Sequence, residues 1–390
     1  MADVTCPFCY RAFNRRELWF ECAGQPAIGH PACEPTLDVA RVRLLGDEAM
    51  SRTAFAPPRR LLGETREATC PACHGRTARR VCPHCHSRLP STYGSSPVPL
   101  IAVAGARAVG KTVYLTVLAH TLIRQLGRRF GADVTMPAWA EEGADPMKFR
   151  IHDLVDRLQL SPLTTPAIGP GHRKPAVIEW RSPPSRLGRL RSSVLSLYDS
   201  AGEDLASFRA AEELRYVAAA DGLILLIDPT TLPQARDLLT TPPMDGYGVA
   251  AIDVISRVTE LLRQSRQVDG RRRIDVPVAV VLTKMDVFFD VLGSDHPLLQ
   301  EPAPAPFYDD AVGRSTHEHV RALLHGWGAD DIDAHIAHNY ANHRYFAVSS
   351  LGAAPDEQAG RVNSLGVRPL RVAEPLIWLL HEFGVVPAKG

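Results

Sequence analysis

Lysine is scarce in this chain: only five of its 44 basic residues, Lys111, Lys148, Lys174, Lys284 and Lys389, are lysine. Where arginine is the default cation, a lysine in a functional loop suggests that its compact ammonium is needed there. Cysteine is absent beyond Cys85, so thiolate chemistry is confined to the first quarter of the chain. No apolar run approaches the roughly 18 residues that cross a bilayer. The first residues, Met1-Ala2-Asp3-Val4-Thr5-Cys6-Pro7, have neither the basic region nor the apolar stretch of a secretion signal. A formal net charge of +1 gives no whole-molecule case for nucleic acid or an anionic membrane. These absences lead to the expectation of a soluble, cytoplasmic protein without disulfides. At 390 residues it can bury one sizeable core plus an appendage.

The eight cysteines mark the appendage. Cys6-Pro7-Phe8-Cys9, Cys70-Pro71-Ala72-Cys73 and Cys82-Pro83-His84-Cys85 are CPxC pairs, with Cys22 and Cys33 single between them. A CPxC turn converges two sulfurs on one ion, and two such turns give a tetrahedral thiolate site. Cys70, Cys73, Cys82 and Cys85 are the expected Zn²⁺ site. Cys6, Cys9, Cys22 and Cys33 form a second set, in which His30 could replace a single cysteine. An arrangement in which knuckles from the two halves share ions stays open. His74, His84 and His86 read as solvent-facing or supporting neighbours. Residues 59–88 carry seven arginines against Glu64 and Glu67, but four thiolates and Zn²⁺ sum to about −2, so part of that excess compensates the metal. Base-stacking aromatics are missing from the stretch. Docking to protein is therefore favoured over nucleic acid. Since no cysteine lies beyond the appendage, metal removal is expected to leave the rest of the chain's binding intact.

Downstream, Pro99–Ala104 is a short apolar run, followed by Gly105-Ala106-Arg107-Ala108-Val109-Gly110-Lys111-Thr112, which matches GxxxxGK[ST], and then a helical stretch over 113–123. In that strand–loop–helix context, glycine-freed backbone N–H groups and the helix N-terminus cradle phosphate; Lys111 reaches the β- and γ-phosphates and Thr112 ligates Mg²⁺. Three elements follow, each after an apolar strand. Asp199-Ser200-Ala201-Gly202 is DxxG, with Asp199 for Mg²⁺ and the Gly202 N–H for the γ-phosphate. Thr283-Lys284-Met285-Asp286 is TKxD, whose Asp286 accepts the two N–H groups of the guanine edge while the Lys284 stem packs over the base. Ser349-Ser350-Leu351 offers backbone to the guanine carbonyl. Adenine lacks the donor pair, so GTP and GDP are favoured over ATP.

With these four motifs in order, residues 98–390 resemble the Ras-like, TRAFAC-class P-loop GTPases. TKxD matches the variant of the Rho-type branch. The cysteine-rich N-terminus before an enlarged domain is similar to prokaryotic GTPases of conflict or signalling cassettes, including the double-GTPase families. The resemblance implies a three-layer α/β fold with a mostly parallel sheet, preceded by a small zinc-ribbon module. It also implies a molecular switch that hydrolyses GTP and engages a protein effector or activator. Two positions depart from the Ras pattern. Glu203 stands where Gln usually orients the attacking water, which predicts slow or partner-dependent hydrolysis. Arg107 replaces a loop glycine, either as a solvated side chain or as a cation near the transition state. The catalytic set is then Lys111, Glu203 and a switch threonine, with Thr165 slightly preferred to Thr164. The boundaries read as a zinc module over 1–90, a Pro/Ser linker over 91–98 and a nucleotide domain over 99–390, with insertions near 128–190, 230–273 and 287–342. The alternatives are a GTP-dependent scaffold that hardly hydrolyses, and a zinc-ribbon nucleic-acid factor timed by GTP.

Overall fold

The computed structural model describes residues 4–48, 50–58, 65–90, 93, 98–136, 146–160, 175–182, 191–199, 211–239, 250–356 and 359–389. The chain divides into two compact units: residues 1–98, 135–145 and 167–196 in one, and 99–134, 146–166 and 197–390 in the other.

The apolar runs form a seven-stranded sheet. In chain order its strands are β1 (Leu100–Gly105), β2 (Asp133–Thr135), β3 (Ala176–Ser182), β4 (Arg191–Asp199), β5 (Gly222–Ile227), β6 (Val278–Leu282) and β7 (His343–Ala347). Their spatial order is β2-β3-β4-β1-β5-β6-β7. β1, β5, β6 and β7 are successive parallel neighbours, with Ile101 opposite Gly222, Leu223 opposite Val278, and Val278 opposite His343. Every residue of β1, β5 and β6 is buried. A central parallel strand has protein on both faces, which is why these segments are apolar throughout and do not alternate. Strand order reverses at β1. In open α/β sheets such a reversal opens a crevice at the carboxyl ends of the strands, where ligands bind.

The principal helices are α1 (Lys111–Thr121), α2 (Ala211–Ala219), α3 (Ala251–Arg266), α4 (Asp310–Gly326), α5 (Asp330–Asn339) and α6 (Glu374–Glu382). On α3, Val254, Ile255, Val258, Leu261 and Leu262 are buried, the i, i+4, i+7 stripe of a helix lying on a core. α6 packs against β5 and β6, and its Leu376–Leu380 are all buried. Gly222 permits this approach, because a Cβ there would lie 2.9 Å from the Phe383 ring. None of the described helices is long and apolar enough to cross a membrane.

α2 is pinned to β1 by one side chain. The Tyr216 hydroxyl donates to the Ile101 carbonyl at 2.6 Å and accepts from the Val103 N–H at 3.0 Å, with the ring fully buried. Tyr216→Phe leaves both backbone groups buried without this partner. The expected loss is about 1–3 kcal/mol of stability, taking roughly 0.5–1.5 kcal/mol for each of the two hydrogen bonds removed. Urea unfolding checks it: the midpoint should fall at unchanged slope.

In the N-terminal unit one device recurs three times. The N–H of the first cysteine of a CPxC pair bonds a carbonyl five residues on: Cys6 to Arg11, Cys70 to Gly75 and Cys82 to Ser87. The residue after the second cysteine donates back to the first cysteine's carbonyl, at 3.0–3.1 Å. That residue turns left-handed, with φ of 57° at Tyr10, 56° at His74 and 54° at His86. Each knuckle thereby closes a short antiparallel hairpin: Val4–Thr5 with Ala12–Phe13, Ala68–Thr69 with Arg76–Thr77, and Arg80–Val81 with Arg88–Leu89. Trp19–Glu21 pairs with both Arg80–Val81 and Ala54–Phe55. The buried Glu21 carboxylate is held bidentately by Arg88, at 2.5 and 2.9 Å.

Candidate nucleotide-binding site and metal centres

The cysteines gather into two four-sulfur groups, Cys6–Cys9–Cys82–Cys85 and Cys22–Cys33–Cys70–Cys73. The structure does not bring the expected set Cys70, Cys73, Cys82 and Cys85 together: those two knuckles fall in different groups, and so do Cys6–Cys9 and Cys22–Cys33. Each group draws on both halves of the module in nested order, first knuckle with last and middle cysteines with the third pair, the shared arrangement that the spacing left open. The physical cause is the strand Trp19–Glu21. By pairing with Arg80–Val81, it folds the start of the module against its end. His30 stands outside both groups; its ring lies against that of His74 at 4.3 Å. His84 meets the Ala12 carbonyl and His86 meets Asp38, the supporting roles expected of them.

The geometry fits zinc. With Zn–S of about 2.3 Å, a tetrahedron has sulfur–sulfur edges of about 3.8 Å. The closest pairs are Cys6–Cys85 at 3.7 Å, Cys9–Cys82 at 3.8 Å, Cys22–Cys73 at 3.5 Å and Cys33–Cys70 at 3.8 Å, too long for the about 2.05 Å of a disulfide. Backbone N–H groups of Phe8, Gly24 and His84 donate to sulfurs of Cys6, Cys22 and Cys82. Burial pushes the Cys6 and Cys82 thiols up, while at Cys85 it is outweighed by hydrogen bonds with the neighbouring sulfurs and Ser87, which bring that thiol down. Three arginines of this unit have partners within it: Arg88 holds Glu21, Arg76 pairs with Glu67, and Arg80 donates to the Thr65 carbonyl.

In the second unit, β1 ends at Gly105, where a Cβ would lie 2.7 Å from the Leu226 carbonyl oxygen. The loop turns through two left-handed residues, Ala108 (φ 59°) and Gly110 (φ 90°), and α1 starts at Lys111. The Lys111 ammonium donates to the carbonyls of Gly105 and Ala106, both at 2.8 Å, and is 7% exposed. Arg107 is exposed at the loop's outer side, and Thr112 follows Lys111 in the first turn of α1.

Thr283 connects this loop to the TKxD element. Its buried hydroxyl lies 3.0 Å from the Val109 carbonyl and 3.2 Å from that of Ile227. Lys284 is left-handed (φ 52°), and its ammonium meets Asp228 at 2.6 Å. Asp228 is itself fixed by the Thr230 N–H (2.9 Å) and hydroxyl (2.7 Å). The Ser349 hydroxyl donates to Asp286 at 2.5 Å and accepts from the Gly352 N–H at 2.8 Å. Burial raises the Asp286 carboxyl, while the Ser349 bond and the Lys284 charge act the other way. Ser350 and Leu351 are half-buried beside Ser349.

The structure thus brings together the phosphate-type loop, TKxD and Ser349. Asp199 is the last residue of β4, next to β1 in the sheet. Gly202, Glu203, Thr164 and Thr165 lie outside the described residues. Sequence reasoning missed Asp228 as the anchor of Lys284 and the side-chain role of Ser349. The signal for Asp228 was its place: an acid directly after a wholly buried strand, as at the other motif loops.

A parallel sheet with these loops at its strand ends defines a GTPase-like P-loop domain. The chain belongs to the Double-GTPase 2 family, whose model matches residues 99–321. It is also 28% identical over 344 residues, covering 81% of this chain and 80% of the other, to a Mycolicibacterium smegmatis protein, SaeC, named for a proposed role in ESX-1 scaffolding and assembly.

Proposed function

We propose that this chain binds GTP and GDP with Mg²⁺ and acts as a slowly hydrolysing, partner-dependent switch in a protein assembly. The observation that carries this reading is the guanine clamp held ready by Thr283, Ser349 and Asp228. Asp286 is aimed by the Ser349 hydroxyl, and Lys284 is held by Asp228. Lys111 already has two loop carbonyls as acceptors. A triphosphate would exchange them for phosphate oxygens, so the ammonium need not be desolvated on binding. Thr112 and Asp199 would hold Mg²⁺, which supplies charge neutralisation at the phosphates. Arg107, at the loop's exposed side, would meet the nucleotide from solvent. Two zinc ions would be held by the nested cysteine sets, each in a structural role.

The zinc module is assigned to protein docking. The engagement of Arg76, Arg80 and Arg88 within their own unit supports that choice over nucleic acid, as does similarity to a protein named for scaffolding. That similarity also favours a second reading, a GTP-dependent scaffold with little hydrolysis. Single-turnover hydrolysis separates the two. Wild type is expected to turn over slowly, Glu203→Gln to match or exceed it, and Lys111→Ala to be inactive through loss of charge stabilisation. A fall of about 10²-fold or more in Glu203→Gln would make Glu203 a general base. Equal rates in wild type and Glu203→Ala would favour the scaffold.

A further inference from the structure

The two metal centres stand on different ground. Around Cys22, Cys70 and Cys73 the buried core is Phe20, Phe55 and Ala68, all within the cysteine-rich segment. Around Cys6, Cys9, Cys82 and Cys85 the same core includes Val177 of β3 and Val194 of β4. Between them runs a hydrogen bond: the Ser196 hydroxyl donates to the Pro7 carbonyl at 2.8 Å, and Ser196 is fully buried. Pro7 sits inside the Cys6–Cys9 knuckle, so its carbonyl is placed by the turn that converges the two sulfurs. On the other side, β4 runs on from Ser196 to end at Asp199, three residues or about 10 Å along an extended strand.

We propose that Ser196 is a positioning residue for Asp199, and that metal bound by Cys6, Cys9, Cys82 and Cys85 is thereby linked to Mg²⁺-dependent nucleotide binding. The proposal rests on the assignment of Asp199 to Mg²⁺. A strand bonded to its neighbours moves as a unit along its length, so fixing Ser196 and Val194 on a metal-held turn would fix the register of β4, whose last residue is Asp199. Coupling between two binding sites is reciprocal: if the metal favours the Mg²⁺-nucleotide state, that state must favour the metal to the same degree. The second centre, whose core includes no residue of β3 or β4 among those described, supplies an internal control.

The test uses the full-length, zinc-loaded chain, Ser196→Ala, and Phe55→Leu as a perturbation of the other core. Binding of a fluorescent GTP analogue is titrated with Mg²⁺. One buried hydrogen bond corresponds to about a fivefold change in an equilibrium, so Ser196→Ala should raise the Mg²⁺ half-saturation about three- to tenfold. Its preference for GTP over ATP, set at Asp286, should not change, and Phe55→Leu should match wild type in both. Zinc release to a colorimetric chelator should show two phases, of which GTP with Mg²⁺ slows one, and Ser196→Ala should lose that slowing. Wild-type Mg²⁺ dependence in Ser196→Ala overturns the proposal alone. A parallel loss of base preference also overturns it, by showing general disruption. Wild-type GTP binding indifferent to Mg²⁺ overturns the reading of Asp199 and the proposal together.

Discussion

Asp286→Ala should weaken GTP binding by about one to three orders of magnitude while leaving the already weak binding of ATP unchanged. Two charge-assisted hydrogen bonds to the guanine edge are worth roughly 3–6 kcal/mol gross, and less net. Each factor of ten in affinity is about 1.4 kcal/mol. The large effect follows from pre-organisation: Ser349, set by the Gly352 N–H, holds the carboxylate in place before any base arrives. The same residue fixes a pH dependence. Asp286 must be ionised to accept both N–H groups, and burial raises its pKa above that of an exposed aspartate. GTP affinity should therefore fall on acidification at a higher pH than for an exposed aspartate, and ATP affinity should not follow it. Equilibrium titration with labelled nucleotides at several pH values checks both; equal or tighter ATP binding in the wild type would remove the guanine assignment.

The second large effect is metal removal. Four of the eleven buried residues in the core nearest β3 and β4 are cysteines, as are three of the six in the other. Without metal those cores bring buried sulfurs together with nothing between them, and a module this small has little else to hold it. Elemental analysis of freshly purified, reduced protein should give two zinc ions per chain. Chelation should abolish the folded N-terminal unit, read as rapid proteolysis within residues 4–90. One ion per chain would contradict the nested pairing, and none would contradict the metal assignment. Under the proposed linkage through Val177, Val194 and Ser196, the outcome for nucleotide binding differs from the expectation that it survives intact. Chelation should weaken it in Mg²⁺, because β4 loses the surface it rests on.

What was legible in the sequence was local. Val278–Leu282 and Gly222–Ile227 announce themselves because a buried parallel strand must be apolar at every position, and motif loops sit directly after them. The helices Ala251–Arg266 and Asp310–Gly326 lie inside segments read as insertions, at 230–273 and 287–342. The short edge strand Asp133–Thr135 has too few residues to carry a pattern, and it fell inside a segment read as an insertion. Cysteine pairing was hidden for another reason. CPxC spacing fixes geometry within a knuckle, but which knuckles meet depends on Trp19–Glu21 pairing with Arg80–Val81, about sixty residues away. Asp228, Ser196 and Tyr216 act through partners 56, 189 and more than 110 residues distant. No window of sequence contains both halves of those interactions.

The most direct test of the central claim is to purify the full-length chain without added nucleotide and identify by mass what it carries, then titrate the emptied protein with GTP, GDP and ATP in Mg²⁺. The account predicts a guanine nucleotide and two zinc ions on the purified chain, and GTP and GDP binding far tighter than ATP afterwards. An adenine nucleotide in their place, or emptied protein that binds ATP as well as GTP, would contradict it.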